Sequence, residues 1–486
     1  MHTAFIKTIG LISAALLLPS CATVRQSGLT NTRDRSASTS AEVTGPPRYA
    51  EDSQVIQTAY RQEAGDPVVE PEPLPPAVLP VQDPVIDGNV GAEALTLEAL
   101  EQIALANNPS IGEAWAGVEA ARGKWVQAGL PPNPRLGYSG QQIGSGGLAE
   151  QHGVYIEQEV IRGGKLRLNR DVVDEEINRA EQLLAAQTLR VQTDVRMSYY
   201  KVLCAERRLE LAEELVSIGN QASQVAERLL EKKEGSRRDL LQARIENNSA
   251  MNFHQQAHNQ HIGAWRALAA VLGSPAMLPQ PLAGEIDDVA PEYGWEDSLQ
   301  RLVTESPEMG AAFANIERAR WTVDRAYVEA VPDVNVQGIV QQDNSTGSSN
   351  GALLVSLPIP FLNRNQGGIR QAENELIAAQ QAAQRTELGL QGRLALVLER
   401  YLTARNRVSN FRDGILRDAE ESLALTKQGY ESGELGFLDL LTAQRTYSQT
   451  NLGYVEALCE MWTGSAEIDG LLLTNSLGVG TESAGR

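Results

Sequence analysis

The chain has 486 residues, only 5 % of them aromatic, and a formal net charge of −20 at pH 7. The length admits more than one domain or one very elongated one, and so few aromatics argue against a compact body around one large core. The acidity excludes a nucleic-acid surface built on a basic stripe, while long tracts of Ala, Leu, Gln, Glu and Arg favour long helices and coiled coils.

A short positive region (His2, Lys7) precedes an apolar run from Ile9 to Leu18. The run is too short to cross a bilayer, which takes about 20 residues, and reads as an export signal over residues 1–20. It ends in Leu18-Pro19-Ser20-Cys21, which resembles a bacterial lipobox. That resemblance implies acylation at Cys21 and, with Ala22 following, an outer-membrane destination. An ordinary signal peptide beside an incidental cysteine is the alternative. Acyl chains contribute about 0.8 kcal/mol per buried methylene, so several on one cysteine anchor durably. Residues 21–92 are then a lipidated, disordered tether. Pro46, Pro47, Pro67, Pro71, Pro73, Pro75, Pro76, Pro80 and Pro84 keep it extended, with too little apolar surface to fold.

The body repeats itself. "NNPSIGEAWAGVEAARGKWVQAGLPPNP" near 107 matches "ESPEMGAAFANIERARWTVDRAYVEAVPDV" near 305, pairing Pro109 with Pro307, Glu119 with Glu317 and Arg122 with Arg320 at an offset of 198. "EGSRRDLLQAR" matches "ELGFLDLLTAQ" at an offset of 200, pairing Asp239 with Asp439 and Leu240 with Leu440. So long a period is a duplicated half, not a solenoid repeat. The halves are 93–274 and 275–472, with a disordered tail over 473–486.

Each half follows one plan. A helix (about 96–129, and about 295–330) stops at Pro131, Pro132 and Pro134, or at Pro332. Two strand-like segments follow, "RLGYSGQQ" and "HGVYIEQEVI" in the first half, "DVNVQGIVQQ" and "GALLVSLPIP" in the second. Val334, Val336, Gly338 and Val340 alternate with Asp333, Asn335, Gln337 and Ile339, the period of a strand with one apolar face. A long helix comes next, carrying a seam that steps by 3 and 4 from Val173 to Val216, and from Ile369 to Ile415. After a short polar turn, return helices run over about 239–272 and 438–472. The first long helix, about 166–232, spans roughly 100 Å. The opening and return helices together match its length, so they can lie end to end along it, with strands at one end of the rod and turns at the other.

Two more cysteines, Cys204 and Cys459, could pair in an exported protein. Cys204 lies 31 residues before the turn at Gly235 and Cys459 lies 24 after the turn at Leu435. With the turns level, their heights differ by about 10 Å, so two free, buried thiols are expected.

The strands decide the assembly. Four strands of membrane-crossing length cannot close, since the smallest single-chain outer-membrane barrels have about eight, and open sheet edges are not tolerated in lipid. Three copies supply twelve strands. The expected fold is therefore mainly α: long antiparallel coiled-coil helices in duplicated halves, with four strands given to a trimeric 12-stranded transmembrane β-barrel. Hairpins capping a soluble helical protein are the alternative.

The stretch from about 95 to 472 resembles the TolC-like outer-membrane efflux family. The resemblance rests on the duplication, on "AGLPPNPRLG", on "SLPIPFLNRNQGG" and on the turns "EGSRRDLLQAR" and "YESGELGFLDLLTAQRTY". "LPPNP" and "PFLNRNQG" look most like its heavy-metal (CzcC-like) branch. The resemblance implies a homotrimeric duct in outer-membrane lipid, with its body in the periplasm, docked on a periplasmic adaptor that links it to an inner-membrane RND-type pump. It implies no nucleic-acid partner and no enzymatic activity. No phosphate-cradling loop occurs in the sequence, so a passive role fits. A type I secretion duct and a non-conducting, periplasm-spanning scaffold lipoprotein are the other readings.

By the same resemblance the turns are adaptor-docking tips: Lys233, Glu234, Gly235 and Ser236, with Asp239 as candidate N-cap, and Gly433, Glu434, Leu435 and Gly436, with Asp439 in the same role. The family often has Gly where Lys233 stands and Ser where Gly436 stands. Tight helix turns need such residues in any case. His254, His258 and His261 share one helical face and are the only metal-ligand candidates; a solvated helix face is the plainer reading. Asp413, Asp418, Glu420 and Glu421 could line a cation-friendly entrance or simply coat a coiled-coil exterior. No catalytic constellation and no cofactor motif is present, so neither is expected.

Overall fold

The computed structural model describes residues 94–144, 149–288 and 291–478. The export signal, Cys21 and the proline-rich tether lie outside them, as do residues 479–486. The first half comprises α1 (Leu97–Asn107), α2 (Pro109–Ala128), β1 (Arg135–Ile143), β2 (Ala149–Val160), α3 (Lys165–Glu231) and α4 (Arg237–Val271). The second comprises α5 (Trp295–Glu305), α6 (Pro307–Val328), β3 (Val334–Asp343), β4 (Ser348–Ser356), α7 (Gln366–Asn410), α8 (Leu416–Glu431) and α9 (Phe437–Asp469).

The single opening helix expected in each half is two helices. Proline pushes the residue before it out of the helical region. Asn108 accordingly sits at φ −72°, ψ 118° and its side chain accepts the Ser110 N–H at 3.0 Å, capping α2. Ser306 before Pro307 has the same conformation.

Helix α3 runs unbroken for 67 residues, roughly 100 Å at 1.5 Å per residue. α2 lies along its first part through Arg122–Glu181 (3.2 Å) and Lys124–Glu176. α4 lies along its last part through Glu227–Arg244 (3.2 Å) and Asn220–Asn247 (2.8 Å). The stacking anticipated from helix lengths is the one observed. The second half departs from it. Its long helix is interrupted between α7 and α8 by one widened turn, Phe411–Ile415, in which Gly414 is non-helical and the Leu416 N–H reaches back to Phe411 O. An i→i−5 bond of this kind inserts one extra residue into a turn, so the seam expected to run continuously to Ile415 changes phase there.

Two apolar clusters hold the rods together. The larger gathers Leu100, Trp265, Leu272, Leu394, Tyr401 and Met461 from both halves. The smaller joins Ala226, Leu240, Tyr430, Phe437 and Leu441 near the turns. In the first, the Trp265 indole donates to Met277 O (3.2 Å) and the Trp462 indole to Ile286 O (2.7 Å), so the buried N–H groups are satisfied.

Cys204 and Cys459 are not free thiols. They form a disulfide between α3 and α9, with Cα atoms 5.9 Å apart. Level turns were the faulty premise, because packed helices cross at an inclination and slide in register. Tyr447, 12 residues past Leu435, donates to Glu214, 21 before Gly235, at 2.9 Å. Against α4 the same helix stays level, with Arg445 and Glu246 3.2 Å apart. α9 is thus shifted on α3 by about the two turns that bring the sulfurs together. Part of the expected disordered tail is also ordered: Leu473 is buried, and the Asn475 and Ser476 N–H groups donate to the Asp194 carboxylate on α3.

The disulfide closes a loop of 255 residues, for which chain entropy gives at most about 5 kcal/mol. The Cys204→Ala/Cys459→Ala variant should melt well below the wild type, and reductant should lower the wild-type melt alone. Equal melts would show the bridge to be absent.

Burial pushes the phenols of Tyr200, Tyr401 and Tyr454 up, and that of Tyr199 to about 12. The unfolded phenol titrates near about 10. Above that pH the unfolded chain loses protons that the folded one keeps, so the stabilisation is complete below about 10 and is lost as pH rises toward 12. Melting temperature should fall across that window, less steeply for Tyr199→Phe.

Candidate functional site

The four strands form one antiparallel sheet in the order β1-β2-β3-β4. Directly paired residues share a face. Leu136 pairs with Ile156, Tyr138 with Val154, Val154 with Val340 and Val336 with Val355. These side chains form one apolar face, most of it exposed, with Leu136 at 80 % and Leu353 at 72 %. The opposite face carries Gln141, Gln151, Glu157, Asn335, Gln337 and Gln341, whose registers fall on the alternate pairs, with Tyr155, Ile339 and Leu354 among them. Gln341 donates to Gln151 at 3.1 Å and Asn335 to Glu157, a polar ladder across β2 and β3. At one end of the apolar face the band gives way to His152, Gln342 and Ser349, where the Tyr138 hydroxyl meets His152 Nδ1 at 2.6 Å. An apolar outer face, a polar inner face and an amphipathic rim are what a membrane barrel wall requires. The outer edges of β1 and β4 have no partner among the described residues.

A tight junction carries the sheet into the rod. Gly163 and Gly164 both take positive φ (70° and 72°) between β2 and α3, a conformation that costs a residue with Cβ about 1 kcal/mol or more. In the second half Asn365 stands there at φ 61°, its side-chain amide donating to Ala326 O at 2.8 Å. Behind the first turn, Asp333 accepts from the Arg162 N–H (2.8 Å) and from the buried Lys165 Nζ (2.7 Å). Partial burial raises the Asp333 carboxyl, but those two donors outweigh it and hold it below the usual carboxylate range. Nothing in the sequence marks this pair, since its members are 168 residues apart.

The turns at the other end share one backbone. Glu234 and Gly235 N–H both reach Leu229 O, and Glu434 and Leu435 N–H both reach Gly429 O. Lys233 (φ 62°) occupies the left-handed position that Gly433 (φ 80°) fills in the second turn. Asp239 and Asp439 are not the N-caps expected of them, because each return helix starts three residues earlier than such a cap would set. Ser236 is the first N-cap, its hydroxyl accepting the Asp239 N–H at 3.1 Å. Gly436 is the second, and Asp439 reaches back to accept its N–H at 3.1 Å. Lys233, Glu234, Ser236, Gly433, Glu434, Leu435 and Gly436 are exposed, and Gly235 partly so.

The histidines are not drawn together as ligands. His254 and His261 turn toward Glu213 (3.7 Å) and Glu206 (3.4 Å) of α3, while His258 is exposed. Burial raises the Glu206 carboxyl, an effect His261 partly offsets. Among the described residues no cluster of three His, Cys, Asp or Glu side chains could hold a metal ion. Asp413, Asp418 and Glu421 are exposed, and Glu420 borders a cavity of about 210 Å³ between α3, α8 and α9.

Comparison with known proteins agrees with this geometry. The outer membrane efflux protein family matches residues 100–274 and 298–472, one segment in each half, and the chain belongs to that family. It is accordingly an outer-membrane efflux protein with a periplasmic body, and not an enzyme. The chain is 25 % identical over 381 residues to the cobalt-zinc-cadmium resistance protein CzcC of Cupriavidus metallidurans, covering 78 % of this chain and 90 % of that one. Its fold is that of the outer membrane protein VceC of Vibrio cholerae (TM-score 0.65, 19 % identity, 78 % and 96 % covered). It is also that of the MtrE outer membrane channel of Neisseria gonorrhoeae in its open state (TM-score 0.63, 20 % identity, 78 % and 89 % covered).

Replacing Lys165 by Met leaves Asp333 without its cation and should cost between about 1.5 and 3 kcal/mol. The Asp333 carboxyl is depressed, so its stabilisation is present above the ordinary carboxylate pKa of about 3.9 and is lost as pH falls below it. Wild type and Asp333→Asn should differ in melting temperature at pH 7 and converge in acid.

Proposed function

We propose that the protein is the exit duct of a tripartite efflux pump, a passive homotrimer that carries heavy-metal cations to the exterior from a periplasmic adaptor and an inner-membrane RND-type pump. The observation that carries this reading is the open four-stranded sheet with its exposed apolar face. In lipid each unpaired backbone group costs several kcal/mol, so β1 of one copy pairs with β4 of the next, and three copies close twelve strands. The polar face then lines the pore, the helical rods continue it as a tube of roughly 100 Å, and acylated Cys21 tethers each copy. The tips Lys233–Ser236 and Gly433–Gly436 meet the adaptor. Similarity to a cobalt-zinc-cadmium resistance protein supports metal cations as cargo. The chain needs no resident metal site for this, because the pump selects what the duct carries.

Purified protein should migrate as a trimer in detergent and conduct ions in planar bilayers. A folded trimer that never conducts would favour the scaffold reading. Val154→Lys on the apolar face should destabilise the inserted barrel by about 2–4 kcal/mol. Gln337→Lys on the polar face should leave folding intact and shift conductance toward anions. Loss of the gene should raise sensitivity to zinc, cobalt or cadmium, and unchanged sensitivity would exclude those cargoes.

A further inference from the structure

The two tips carry the same carboxylates and opposite complements of cation. Glu231, Glu234 and Asp239 of the first recur as Glu431, Glu434 and Asp439 of the second. Lys232, Lys233, Arg237 and Arg238, however, stand where the second tip has Ser432, Gly433, Phe437 and Leu438. Every cation of the first tip is neutral in the second, although the backbones share their turn hydrogen bonds. All four cations are exposed, and Arg238 is the only one with an ion pair to a described residue, at 3.6 Å to its neighbour Asp239. The second tip instead exposes Leu435 and Leu438 beside its acids.

Lys233 is the telling residue. Its backbone is left-handed (φ 62°), a region in which a side chain is strained and which glycine occupies in the other tip. Among the described residues its side chain caps no helix and pairs with no acid, so local stability gives no reason to keep it. Strained, exposed side chains of this kind concentrate where a partner uses them.

Building on the docking reading above, we propose that the two tips recognise chemically different surfaces of the adaptor. The first offers Lys232, Lys233, Arg237 and Arg238 to a carboxylate-bearing site. The second offers an apolar knob, Leu435 and Leu438, ringed by acids, to an apolar site with basic margins. In a trimer the two kinds of tip alternate, so the charge pattern sets the rotational register of the adaptor as well as its affinity. Charge complementarity of this kind acts chiefly on association rate and on wrong pairings.

The test uses full-length protein in detergent and the periplasmic adaptor encoded beside its gene, expressed and purified separately. Reversing the first tip (Lys232→Glu, Lys233→Glu, Arg237→Glu, Arg238→Glu) should slow association at low salt by about tenfold or more and flatten its salt dependence. Lys233→Gly relieves the strained backbone, so it should melt no lower than wild type, yet bind about two- to fivefold more weakly. Leu438→Ser should weaken binding without altering the salt dependence. If the adaptor does not bind wild-type protein at all, docking itself is wrong and this proposal falls with it. If wild type binds, and both the reversed tip and Lys233→Gly bind equally well at every salt concentration, docking stands and the division of labour between the tips is overturned.

Discussion

Backbone hydrogen bonding in lipid is the constraint on which the rest of the molecule depends. The sheet satisfies its internal ladders through three antiparallel pairings, but the outer sides of β1 and β4 have no partner among the described residues. Water could satisfy such edges; hydrocarbon cannot. The alternating registers add a second demand, because Leu136, Val154, Ile156, Val340 and Leu353 crowd one face that no described residue covers. Lipid against that face and further copies at the sides would meet both demands, which is the assembly proposed above.

The rods are fixed to the sheet and to each other by few, well-placed interactions. Gly163–Gly164 and the Lys165–Asp333 pair turn β2 into α3, and Asn365 does the same for α7. Farther along, the larger apolar cluster binds both halves. The disulfide then fastens α3 to α9. Toward the turns only the smaller cluster and polar contacts such as Tyr447–Glu214 remain. Stability is therefore graded along the molecule, firm at its middle and lighter toward the turns.

Duplication supplied two copies of one plan, and the differences between them are informative. α3 is continuous, whereas its counterpart is divided by the widened turn at Phe411–Ile415. The tips kept a common backbone and common acids but lost or gained four cations. On the trimeric docking proposed above, two kinds of tip would present three contacts of each kind where identical tips would present six alike.

Much of this was legible in sequence because it is local or periodic. The duplication, the strand alternation around Val334–Val340 and the seams of α3 and α7 are patterns of neighbouring residues, and helix lengths alone placed strands and turns at opposite ends. Failures arose where local rules compete or distance matters. Pro109 and Pro307 split helices whose periodicity runs through them, and Ser236 capped a turn before Asp239 could. The register of α9 on α3, hence the Cys204–Cys459 bridge, and the meeting of Lys165 with Asp333 depend on helix inclination and on residues hundreds of positions or a whole half apart. Rise per residue cannot encode how two rods slide against each other. The sequence by itself determined which segments are helix, strand or turn and which faces are apolar; tertiary packing alone decided which of those faces meet, because that choice minimises exposed surface over the whole rod at once.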